Sequence, residues 1–213
     1  MTKTPRRPSL PEKYRQLMEH DFEHVLKVHK DLGHDQSLAV FTLYTPKGPI
    51  VVGTGFGGPR EKERVYTMIR LMAVAHEADA ISYVSEAWMR KVDKAHGETE
   101  AEHHARAAEI APSQAEDRME VVICSIAWRD GFGQRQSTMR AREMVRGDDG
   151  KLVELRPMAW TEDRDGYAEG PAMELLPVRR PSPEQVAKAR AVVDQLAPLL
   201  GLEMQEMQRG GNA

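Results

Sequence analysis

Met119 to Trp128 carries apolar side chains on both parities: Val121, Ile123 and Ala127 on one, Val122, Cys124, Ile126 and Trp128 on the other. A strand points successive side chains to opposite faces, so this run needs cover above and below and belongs near the middle of a sheet. The rest of the chain therefore has to place other strands beside it and helices over it.

The neighbouring segments supply both. Asp130-Gly131-Phe132-Gly133 is a turn, Gln134 to Val145 a strand, Gly147-Asp148-Asp149-Gly150 a second turn and Lys151 to Leu155 another strand. Such short turns impose antiparallel pairing. Upstream, Ala80 to Trp88 reads as a strand, and Ser37 to Thr45 with Ile50-Val51-Val52 reads as a hairpin about Pro46-Lys47-Gly48-Pro49.

Three helices are legible. Ser9-Leu10-Pro11-Glu12 is a start signal for a stripe of Tyr14, Leu17, Met18, Phe22, Val25, Val28 and Leu32. Val65, Met68, Ile69, Met72 and Ala75 form a second stripe between Arg60 and Ala78. Ser182-Pro183-Glu184-Gln185 opens a third, with Val186, Ala189, Val192, Val193, Leu196, Leu199 and Leu200. Asp93 to Glu116 is acidic, Ala-rich and poor in large apolar residues, and reads as a loop with a short helix. The expected fold is α+β: an antiparallel sheet of about five strands packed with N-terminal, middle and C-terminal helices. A length of 213 residues suits one domain over residues 1–203, with 204–213 as a flexible tail.

Charge limits the partners. With 30 Lys+Arg against 33 Asp+Glu the net charge is -3, which gives no overall field toward nucleic acid or an anionic membrane. Neither partner is expected. No run approaches the roughly 20 apolar residues of a membrane span, and the basic, Pro-rich start lacks the apolar stretch of a secretory signal. The expected compartment is the cytoplasm. The single cysteine, Cys124, excludes a disulfide within the chain and reads as a buried small hydrophobe.

Several residues are candidates for a site. Gly53-Thr54-Gly55-Phe56-Gly57-Gly58 satisfies G-x-G-x-x-G between a strand and a helix, an arrangement that can hold a pyrophosphate. Here the strand is the second arm of a hairpin, and no further βαβ unit follows. The loop reads better as a turn that needs glycine, or as amides for a smaller anion beside Arg60. Glu86 and Trp88 share one parity at the end of a strand, and Asp117 and Arg118 stand at the start of the central one, where loops build sites. His103 and His104 would project about 100° apart on a helix and seldom share an ion, so no metal site is expected. Arg140, Arg142 and Arg146 share a parity, with Arg129 and Arg135 close by, and offer a basic sheet face.

Two functions of different class are consistent with these features. One is a non-enzymatic binding or adaptor protein that engages a protein partner, or a second copy, through Arg140, Arg142, Arg146 and the acidic 93–116 segment. The other is a small enzyme or ligand-binding domain whose pocket combines Gly55, Gly57, Gly58, Arg60, Glu86, Trp88, Asp117 and Arg118 around an anion or nucleotide. The sequence specifies no cofactor.

Overall fold

The structure is a computed structural model and describes residues 10–32, 39–54, 58–158, 171–200 and 203–206. Among them, seven strands form one antiparallel sheet: β1 (Ala39–Thr45), β2 (Gly48–Thr54), β3 (Ala80–Met89), β4 (Met119–Arg129), β5 (Arg135–Arg146), β6 (Leu152–Pro157) and β7 (Glu203–Glu206). The spatial order is β6-β5-β4-β3-β1-β2-β7. The chain is thus α+β as expected, with more strands than the five or so that patterning announced. β3 is the middle strand, and the doubly apolar β4 lies between it and β5.

Local chemistry sets the connections. Pro46 and Lys47 form a two-residue hairpin loop closed by the Thr45–Gly48 pair. The loop works because Gly48 adopts a φ of 137°, which a side chain would oppose. Thr45 Oγ1 donates to the Gly48 carbonyl at 2.7 Å and accepts from the Lys47 amide.

Helices cover both faces. On one, α1 (Glu12–Leu32) crosses β4 and β6 and buries Tyr14, Met18, Phe22 and Val25 against Val84, Val122, Cys124, Ile126 and Met144. On the other, α2 (Pro59–Ala75), α4 (Pro171–Leu175) and α5 (Pro183–Leu196) pack Ile69, Met72, Leu175 and Val193 on Phe41, Ile81 and Tyr83. Alternate residues of β3 and β4 enter the two cores, as a doubly covered strand requires. Each fully buried side chain of this size contributes about 1.5–3 kcal/mol. No helix of the described residues is long and apolar enough to cross a membrane.

The acidic segment contains α3 (Glu100–Ala108). Its reciprocal cap joins the Thr99 side chain to the Glu102 amide and the Glu102 carboxylate to the Thr99 amide. The Arg106 guanidinium and the Ala95 amide hold the Glu98 carboxyl down to about 2. Near the other end, residues 204–206, the first of the expected tail, pair together with Glu203 along Ile50 to Gly53 at the sheet edge. Ser9, Gly55 and Gly57, singled out in the sequence, lie outside the described residues.

Candidate functional site

Glu86 lies on the α1 side of β3, and His29 in the last turn of α1 donates from Nε2 to its Oε1 at 2.7 Å. The imidazole is fully enclosed, and its Nδ1 has no hydrogen-bond partner among the described residues. This pair ties the end of the helix to the sheet. Trp88, one pleat further along, is 44% exposed. The Arg118 guanidinium sits 4.6 Å from its ring centroid and donates to the Ser113 carbonyl at 2.6 Å. Asp117 faces the Arg90 Nε at 3.7 Å. Glu86, Trp88, Asp117 and Arg118 therefore fall near one end of the sheet but in three separate pairings.

Gly58 precedes the first turn of α2 with an extended backbone, and a side chain there would meet nothing within 4 Å. Crowding does not require glycine at this position. Arg60, in the same turn, lines a groove together with Leu196 at the far end of α5 and Leu199 just beyond it.

The arginine row shares a face, as its parity expected, but the face is the one that α1 covers. Arg140 Nη1 donates to Glu19 Oε1 at 3.3 Å, Arg142 reaches the other oxygen of Glu19, and the Arg142 guanidinium lies 4.4 Å from the Phe22 ring centroid. Arg146 grips Glu120 with two bonds of 2.7 Å each. In the structure the row docks α1 through Glu19 and braces β4 through Glu120. Only the fold could reveal these partners, since Glu19 and Arg142 lie 123 residues apart.

Under α1 the Cys124 thiol lies 3.8 Å from Asp21 Oδ2, beside the hydroxyls of Tyr44 and Ser82. Burial pushes the Asp21 carboxyl up to about 6, against the opposing pull of Ser82, His20 and the thiol. Burial also raises the Cys124 thiol well above its ordinary value. The cluster is a polar island within the helix–sheet contact.

An extended concave region that sequence reading did not isolate lies on the described surface. α2 and α5 run antiparallel, and their outer sides enclose a groove of about 510 Å³ walled by Met68, Leu71, Leu196 and Leu199. It continues past Leu71 into a second groove of about 780 Å³, walled by Val74, Val178, Ala189 and Val192. Leu199 is 79% exposed and Val178 68%. The rim carries Arg60 and Arg64 at one end and Arg179, Arg180 and Lys188 at the other, against a single acid, Glu63.

Two arginines of the sheet fix this wall. Arg129, at the end of β4, donates to the carbonyls of Pro177, Val178 and Arg179. Arg135, its cross-strand neighbour, donates to those of Met173 and Leu176 at 3.0 and 2.9 Å. A signal was present in α5: Val192 and Val193 are adjacent and Leu196 and Leu199 follow, so the apolar positions span more of the helix than one neighbour can cover. Comparison of the chain with family models, with curated proteins and with solved structures finds no match.

Proposed function

We propose that this protein is a non-enzymatic binding module that takes a segment of a partner protein into the groove between α2 and α5. One observation carries the reading. Of the eight exposed large hydrophobic residues among those described, four (Val178, Val192, Leu196 and Leu199) line this single concave face. Exposed apolar residues scattered singly need no partner, whereas a contiguous apolar strip with a polar rim is the usual mark of an interaction site. The candidate residues of an enzyme pocket are less available, because Glu86, Asp117 and Arg118 are each engaged by a different neighbour.

The rim favours an acidic partner over a second copy. In a twofold contact built on this face, five cations on one subunit would meet five on the other, and like charges across an interface cost affinity.

Peptide display against the native protein tests the reading, with the Leu196→Asp/Leu199→Asp variant as counter-selection. Recovered peptides should bind the native protein at least tenfold more tightly than the variant. Peptides that bind both equally, or compete with a tag attached at Trp88, would move the site elsewhere and refute the proposal.

A further inference from the structure

We infer that the occupant of this groove is an amphipathic α-helix of about four turns with carboxylates at both of its ends, an inference that rests on the reading above.

The groove has a shape and a charge pattern of its own. From Arg60 to Val74 the α2 wall spans 14 residues, about 21 Å at 1.5 Å per residue. Leu71 near the middle belongs to both grooves, so the apolar floor is continuous along that length. A straight seam between two antiparallel helices accepts a third helix, whose residues at i, i+3, i+4 and i+7 present a matching stripe. An extended strand would need an exposed sheet edge for its backbone, and this seam is walled by helices and the 177–181 segment.

Cations are placed at the two ends of the seam. Arg60 and Arg64 stand one helical turn apart where α2 begins, beside Leu196 and Leu199. Arg179, Arg180 and Lys188 stand where α5 begins, beside Val74 and Val178. Between the ends the walls are Leu71, Ala189 and Val192. Of these cations, Arg180 contacts Asp79 at 3.1 Å and Lys188 contacts Glu184 at 2.7 Å, both largely in solvent. Exposed pairs of that kind are worth little and exchange readily for a carboxylate held against an apolar floor. A partner helix with an apolar middle and acidic ends satisfies floor and rim together, and the ends fix its register along the groove.

The test uses three synthetic helices of about 15 residues with the same leucine stripe, carrying Glu at both ends, Glu at one end, or Gln at both. Each is titrated by fluorescence anisotropy into the full-length protein, with circular dichroism to follow helix formation. Charge-reversed proteins, Arg60→Glu/Arg64→Glu and Arg179→Glu/Arg180→Glu, are run in parallel, and all four positions are exposed. The two-ended peptide should bind tightest, and loss of charge at either end should weaken it roughly three- to tenfold, the scale of a few exposed pairs. Each reversed protein should lose the two-ended peptide and regain affinity for a version with Lys at one end.

If all three peptides bind equally and reversal changes nothing, the end-charge inference falls while the groove reading survives. If the bound peptide gains no helicity, the inference falls in the same way. If none binds the native protein, the groove reading falls with it.

Discussion

Arg129 Nη1 donates to the Val178 carbonyl at 3.3 Å, so a guanidinium at the end of β4 holds the outermost wall of the groove. Arg129 is only 8% exposed and bonds two further carbonyls of the same segment. Replacing it with leucine leaves three carbonyls without their donor. Hydrogen bonds to a charged group are worth about 1.5–3 kcal/mol, so Arg129→Leu is expected to cost about 2–4 kcal/mol in urea unfolding and to weaken peptide binding at the groove. Arg180→Ala, whose partner Asp79 is exposed, should leave the unfolding free energy within about 0.5 kcal/mol of the native value.

Asp21 gives an unusual pH dependence. Its carboxyl titrates at about 6 in the folded protein because burial disfavours the anion, against an ordinary value of 3.8. The folded state therefore holds this proton more tightly than the unfolded one. Asp21's contribution is fully present below pH 3.8 and is lost as pH rises through 6. Asp21→Asn should be more stable than the native protein at pH 7.5 by on the order of 2 kcal/mol, and the difference should vanish by pH 4. Paired urea titrations across that range check it, and a constant difference at every pH would refute the assignment.

His29 and Glu86 are expected to behave as a structural pair. Glu86→Leu leaves the enclosed imidazole without its acceptor and should cost about 1–3 kcal/mol. The double variant His29→Phe/Glu86→Leu should recover part of that loss, because both polar partners are then replaced by apolar groups. Groove peptides should bind all three variants with unchanged affinity. Loss of binding in Glu86→Leu, with stability intact, would instead make Glu86 part of a ligand site.

Two leucines separate core from surface. Leu43 is fully buried, and Leu43→Ala should cost about 2–5 kcal/mol. Leu199, at 79% exposed, should tolerate Leu199→Ser within about 0.5 kcal/mol and yet lose most peptide affinity. Thermal melts and anisotropy on the same two variants check the contrast.

Reading periodicity recovered most elements to within a few residues, because hydrophobic spacing is a local property. The stripe through Tyr14, Met18, Phe22 and Val25 is buried as the sequence implied, and the two parities of β4 enter two cores. The short helix in the acidic segment was expected too, and Thr99 with Glu102 caps it. β7 was not, since a four-residue edge strand is held by its pairing with β2 rather than by its own pattern. α4 also escaped notice: its five residues are too few to show a period.

The candidate site was less legible. Parity placed Glu86 with Trp88 and aligned Arg140, Arg142 and Arg146, but it carried no information about what each charge would meet. Glu19 answers Arg142 because α1 crosses β4 and β6 at that point, and His29 answers Glu86 because the helix ends over β3.

By itself the sequence determined the class of the fold, its longer strands and helices, and the faces they bury, all consequences of spacing along one segment. Tertiary structure alone decided which arginines became internal ties and which apolar positions of α5 stayed in solvent. The cause is physical: a charge or a methyl group acquires its role from whatever lies within a few ångströms, and here those neighbours come from residues 50 to 123 positions away.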